Sequence, residues 1–311
     1  VTSVHHMTGY LDAIERARNN HSLITRFYVT ASIENWKSLK EEIEKNGNGD
    51  QWLKIGGVKG FVDGSLGSHT AAFLSPYTDL PAENGFFVNT EDELFQWTLD
   101  ADKAGLQVII HAIGDRAIRF LLDTYDSVAT LNGPRDRRFR IEHAQHIAPE
   151  DIVRFSQSGV IASMQPYHAI DDGRWAEKVI GPERIKTTYA FKSLFDSGAT
   201  VAFGSDWFVA PPTPLDGIYA AVTRRTLDDK NPDGWVPEQK ISVEEALRAY
   251  TINGAYASFD EHIKGSLEPG KLADFVVINA DLTKIDPVMI REAKILQTYV
   301  GGKKVYDSKG K

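Results

Sequence analysis

Hydrophobic positions along the chain come in short continuous runs rather than long stripes. Seven runs, at residues 1–7, 24–31, 57–62, 106–111, 139–144, 160–165 and 200–204, are rich in β-branched and aliphatic residues, as in Gln107-Val108-Ile109-Ile110. Between them lie amphipathic stretches, at residues 9–20, 34–46, 90–104, 115–131, 149–158 and 182–197, whose apolar residues recur at helical spacing. Gly105, Gly159 and Gly198 stand where these helices should stop. Asp115 is the expected cap of the helix that carries Ile118, Leu121 and Leu122. Strands that alternate with helices pair in parallel through right-handed crossovers. Continuous apolar runs suit a parallel sheet covered on both faces.

Two architectures satisfy this pattern, a doubly wound open sheet and a (β/α)8 barrel. No Gly-x-Gly-x-x-Gly and no Gly-x4-Gly-Lys-Ser/Thr follows a strand, which weakens a nucleotide-binding open sheet. Seven strands are one short of a closed barrel. After residue 204 come the loop Ala210-Pro211-Pro212-Thr213-Pro214, a helix, and a polar loop at 228–239. Ser242 with Glu245 three residues on forms a capping box for a helix expected to reach about Phe259. Beyond Lys264 the texture changes. Gly265-Ser266-Leu267, the turn Glu268-Pro269-Gly270, residues 274–279 and residues 297–306 around Gly301-Gly302 read as short antiparallel strands with a hairpin turn.

Composition narrows the partners. The net charge of −8 argues against nucleic acid or an anionic membrane, both of which select a basic face. No apolar run approaches the ~18–20 residues of a membrane helix. The absence of cysteine removes disulfides, thiolate nucleophiles and Cys-zinc sites. A cytoplasmic protein with a small-molecule substrate is the expectation.

In a barrel, chemistry sits at the C-terminal ends of the strands. Lys59 lies within the third run, His111 and His143 end the fourth and fifth, and Asp206 follows the seventh. His143 lies 32 residues after His111, one βα unit, and Asp206 lies 63 residues further, two units, so a barrel brings all three to one rim. Two imidazoles and a carboxylate suit Zn²⁺, Mn²⁺ or Fe²⁺. A carboxylate beside an activated water can take its proton and pass it to a leaving group. Taken singly, each residue has an ordinary reading as a rim hydrogen-bonder, a cap or a salt-bridging lysine. His69 and His168 fall in loops above the rim, in reach of a substrate. So does Trp207, one of several aromatic residues in the loops 65–77, 167–175 and 210–235 or beside them.

These residues resemble the metal-dependent amidohydrolase superfamily, in its amidohydrolase 3 branch of N-substituted formamide deformylase-like proteins. The motifs are Val58-Lys59-Gly60-Phe61-Val62-Asp63-Gly64-Ser65-Leu66-Gly67-Ser68, His111-Ala112-Ile113-Gly114-Asp115-Arg116-Ala117, Arg140-Ile141-Glu142-His143-Ala144 and Gly204-Ser205-Asp206. The tail from Gly265 to Val277 resembles the superfamily's return to a β-sandwich. The resemblance implies an α/β chain: a (β/α)8 TIM barrel missing its first strand over residues 1–262, and the C-terminal strands of a small split β-sandwich over 263–311. It implies a divalent metal, zinc first, as one or two ions. Lys59 would be a carboxylated, metal-bridging lysine. His111 and His143 would be ligands, and Asp206 both ligand and base.

One departure stands out. The family's first strand carries a His-x-His ligand pair, and no His-x-His occurs here; His5-His6 is adjacent, so its side chains point to opposite faces of a strand. Residues 1–7 are therefore expected to be the second barrel strand of a chain lacking the family's N-terminal part. An open seven-stranded barrel exposes two edges, which favours association into a homo-oligomer. The expected function is metal-dependent hydrolysis of an amide, formamide or N-acyl C–N bond. The alternative is a catalytically incomplete fragment, or a binding or regulatory remnant.

Overall fold

The computed structural model describes residues 2–310, so Val1 of the first expected strand lies outside the described residues. The chain alternates as its hydrophobic pattern demands. In order come β1 (Ser3–Met7), α1 (Leu11–Asn19), β2 (Arg26–Ser32), α2 (Trp36–Asn46), β3 (Leu53–Phe61), α3 (Glu91–Lys103), β4 (Gln107–Ala112), α4 (Asp115–Asn132) and β5 (Arg140–His143). Then follow α5 (Ile152–Gln157), β6 (Ile161–Met164), α6 (Pro166–Asp172), α7 (Ala176–Arg184), α8 (Phe191–Asp196), β7 (Val201–Phe203), α9 (Pro214–Thr223), α10 (Val243–Tyr250) and α11 (Ile252–Tyr256). The chain ends in β8 (Phe275–Ile278), β9 (Ile295–Val300) and β10 (Lys303–Asp307).

The first seven strands form one parallel sheet in the order β1-β2-β3-β4-β5-β6-β7. Its outer face carries Val58, Val108, Ile110, Ile141, Ala162 and Val201, packed against Leu94, Ile118, Leu121, Phe155 and Leu194 from the helices. Full burial of each large aliphatic among them stabilises by roughly 1.5–3 kcal/mol, which makes this the main core. The inner face is polar. Tyr28 donates to Gln107 Oε1 at 2.9 Å, and Arg140 donates to Ser163 Oγ at 3.1 Å and to His5 Nδ1 at 2.8 Å. In a flat sheet β1 and β5 would stand about 19 Å apart. The Arg140–His5 contact therefore shows that the sheet curls into most of a barrel.

The tail forms the expected separate antiparallel sheet, β10-β9-β8, and Gly301 and Gly302 turn its hairpin with φ of 58° and 77°. A buried pair joins the sheets: Arg26 of β2 grips both oxygens of Asp274 at 2.6 and 2.8 Å. Residues 265–267 were expected as a strand and are not one; Leu267 is exposed and unpaired there, while the turn at Glu268 is present, closed by Lys271 N–H.

Three helix expectations need correction. Asp115 is not the cap of α4. It sits inside the first turn, and the first free amides, of Arg116 and Ala117, point at the carbonyl of Ala72 while the Asp115 carboxylate accepts from Leu74 N–H at 2.7 Å. The helix expected at 182–197 is broken. Arg224 donates to the carbonyls of Thr188 and Tyr189, and Thr188 bridges to His146, which holds that segment extended. The last long helix breaks at Thr251 (φ −120°, ψ −92°), which lets Asn253 donate to Val201 O at 2.8 Å beneath β7. The capping boxes at Thr90 and Ser242 are both formed.

Candidate metal centre

The C-terminal ends of the strands converge as the spacing predicts. His143 is the last residue of β5, and Asp206 follows β7 by three residues. Both have positive φ, 73° and 56°, a conformation uncommon for residues with a Cβ and concentrated at functional rims. After β6 the chain turns at Gln165 into α6, with Pro166 at its first position, which sets His168 in the first turn of that helix. His143, His168 and Asp206 each offer a ligand atom, and these atoms lie within 4.8 Å of one another.

The protonation pattern suits ligation. Gln165 Oε1 can only accept, so at 2.8 Å it takes the Nδ1–H of His143 and leaves Nε2 with its lone pair. His168 Nε2 is buried with no hydrogen-bond partner among the described residues. Burial holds His143 well below the usual histidine range, reinforced by neighbouring His111, Lys59 and His168; burial alone lowers His168 to about 4. Both rings are thus neutral at neutral pH, the form that binds metal. Burial, then the Glu142 carboxylate, pushes Asp206 above its ordinary value.

The other expected residues stand around this trio. The His111 ring lies 4.6 Å from that of His143, with Nε2 3.0 Å from Gly64 O. Lys59 lies on β3 and contacts the Phe61 ring at 4.2 Å; its amine is lowered to about 8, by burial first, against the opposing pull of Glu142. His69 is turned to Asp79 at 3.0 Å and to the Tyr77 ring. Trp207 is 68% exposed beside Asp206, with Phe208 as its ring neighbour.

Three residues escaped the sequence reading in these roles. His168 was expected beside the substrate, and the structure sets one of its ring nitrogens within 4.8 Å of ligand atoms of His143 and Asp206. The signal was its position just after a strand end. Glu142, held by Arg140, is the acid that acts most on Lys59 and Asp206. Asp63 is buried at the root of the mouth loop, and its carboxylate accepts three backbone amides. Two imidazoles, one of them with an orphaned ring nitrogen, and a carboxylate are a donor set that fits a zinc-type ion with an open position.

A sequence profile of the amidohydrolase family matches residues 1–306. The chain is 44% identical over 299 residues to Protein LONG AFTER FAR-RED 3 of Arabidopsis thaliana, which covers 96% of this chain and 51% of that protein. It is 32% identical to the putative amidohydrolase YtcJ of Bacillus subtilis (strain 168) over 89% of this chain and 50% of that one. It is 29% identical to the N-substituted formamide deformylase of Arthrobacter pascens over 83% and 47%. The chain spans about half the length of these curated relatives. An uncharacterized metal-dependent hydrolase from Pyrococcus horikoshii OT3 superposes with a TM-score of 0.80 at 30% identity, over 92% of this chain and 57% of that one. A mutant of the atrazine chlorohydrolase TrzN from Arthrobacter aurescens TC1, complexed with zinc and atraton, has a TM-score of 0.60 over 99% and 68%; at 17% identity the likeness is one of fold.

Proposed function

The chain belongs to the amidohydrolase family, and on that premise we propose that it hydrolyses a C–N bond of an amide, formamide or N-acyl compound at the rim built by His143, His168 and Asp206. The convergence of these three ligand atoms within 4.8 Å carries the reading. His143 through Nε2, His168 and Asp206 would hold a divalent ion, with His111 beside them. The zinc in the distant structural relative TrzN supports that metal. When bound, the ion supplies Lewis-acid polarisation of the scissile carbonyl and makes water more acidic.

The side chains do the rest. Asp206 accepts a proton from the attacking water as the C–O bond forms. It then delivers that proton to the leaving nitrogen as the C–N bond breaks, so it ends as it began. Its raised pKa suits a group that must both take and give a proton. Lys59, lowered to about 8, is partly neutral near pH 7.5 and can add to CO₂, giving a carbamate and one proton; the product is an anionic oxygen ligand. Trp207 and Phe208, exposed beside Asp206, support a substrate with an apolar substituent. Metal analysis of the purified chain and an amide screen with and without chelator test the reading. Bound metal with chelator-sensitive turnover supports it, and turnover unaffected by chelation rejects it.

A second reading is a binding or regulatory unit without turnover. Among the described residues no strand pairs with the outer edge of β1 or of β7. Metal bound without any turnover would favour it.

A further inference from the structure

Asp63 lies two residues past β3, with a fully buried carboxylate. Its Oδ2 accepts Ala72 N–H at 2.8 Å and Gly114 N–H at 2.9 Å, and its Oδ1 accepts Ile113 N–H at 3.0 Å. The first donor belongs to the mouth loop, the other two to the turn after His111. Oδ1 also stands 3.4 Å from His111 Nε2, and the adjoining Gly64 carbonyl stands 3.0 Å from the same nitrogen. A carbonyl can only accept, so this geometry demands a proton on Nε2. The lone pair of His111 is left on Nδ1, which has no hydrogen-bond partner among the described residues, in a ring 4.6 Å from that of His143.

We propose that Asp63 is a positioning residue: its amide-anchored carboxylate, together with Gly64 O, locks His111 in the Nε2–H tautomer and presents Nδ1 to the metal centre. Three backbone donors fix the carboxylate, so it cannot swing away, and its charge favours the N–H that faces it. The inference rests on the hydrolase reading for its purpose but not for its test.

Long-range ¹H–¹⁵N correlation of the metal-free, ¹⁵N-histidine-labelled chain reads the tautomer, with His111 identified by the signal lost in His111→Gln. The expected result is Nε2–H at His111. Nδ1–H, or an even mixture, overturns the proposal. Asp63→Asn should raise the Nδ1–H share at least fivefold and weaken Zn²⁺ binding by about 10–100-fold. An unchanged tautomer in that variant also overturns it. Asp115→Ala removes another anchor of the mouth loop, at Leu74, without touching His111. It should leave tautomer and Zn²⁺ affinity as they were; if it matches Asp63→Asn, loop anchoring is the cause and the proposal fails. Where Asp63→Asn does not fold, the tautomer of the unaltered chain decides. Failure of the unaltered chain to bind Zn²⁺ would sink the hydrolase reading alone.

Discussion

At the N-terminal ends of the strands, Lys54 donates to Asp260 Oδ1 at 2.8 Å and to Ser258 O at 2.7 Å, and Lys264 reaches Asp260 Oδ2 at 3.0 Å and Ser3 Oγ at 3.0 Å. Arg138 grips both oxygens of Glu261 at 2.8 Å and lies over the Tyr256 ring at 3.8 Å. At the opposite ends, His143, His168 and Asp206 face one another with no ion pair among them, and one ring nitrogen is orphaned. Both ends are polar and partly buried. At the floor Lys54, Lys264, Asp260, Arg138 and Glu261 all have partners, and the segment after α11 is stitched under β1, β3 and β5. At the rim, ligand capacity is held open. The floor ties the ends of the strands together, and the rim leaves a donor atom without a partner among the described residues.

The strongest test of this contrast is Asp206→Asn. It should lower kcat on any turned-over amide by about 10²–10⁴-fold, the usual worth of a positioned proton carrier. Because the Asp206 side chain has no hydrogen-bond partner among the described residues, stability should move by less than about 0.5 kcal/mol, as for an exposed site. Kinetics and thermal melts on one preparation check both halves. A large loss of stability would make Asp206 a structural residue like those of the floor.

Asp260→Ala is the converse experiment. It strips two cations of their shared partner and should cost about 3 kcal/mol of unfolding free energy, read by urea titration. Activity per folded molecule should stay within twofold. The same pair sets an acid limit. Burial pushes Asp260 up, but Lys264 and Lys54 outweigh it and hold it below the ordinary 3.8. Arg26 does the same to Asp274, again against burial. A carboxylate depressed in the folded state adds stability that is fully present above the unfolded pKa and drains away as pH falls through the folded one. Stability should therefore be level with respect to these two groups above about pH 5 and fall below 3.8. Asp260→Ala should lose part of that acid step.

Much of this was legible in the sequence because burial imposes a period. All seven parallel strands, the capping boxes at Thr90 and Ser242 and the Gly301-Gly302 hairpin follow from local pattern. Residues 1–7 and 200–204 were enough to locate β1 and β7. What stayed hidden depends on distant backbone. The role of Asp63 comes from amides of Ala72, Ile113 and Gly114, which no side-chain motif reveals. The breaks at Thr188 and Thr251 come from tertiary pulls, by Arg224 on the Thr188 segment and by Asn253 on β7. The closeness of His168 to His143 and Asp206 stayed hidden because residues 167–175 read as loop, whereas Pro166 starts a helix that turns His168 toward Asp206.

The smallest expected effects come from one aromatic at each end. Tyr256 lies beneath Arg138 at the floor, where the cation holds its face at 3.8 Å. Tyr256→Ala should destabilise by about 1–2 kcal/mol and leave KM alone. Trp207, at the mouth, is 68% exposed and packs only loosely on Phe208 at 6.1 Å. Trp207→Ala should leave the melting temperature unchanged, leave kcat within twofold, and raise KM by less than tenfold for substrates with an apolar substituent. An indole that touches only a remote part of the substrate binds ground and transition states alike, so its loss falls on KM. A drop in kcat instead would place the indole against the reacting atoms, and a drop in melting temperature would mean that the mouth, like the floor, is built for stability.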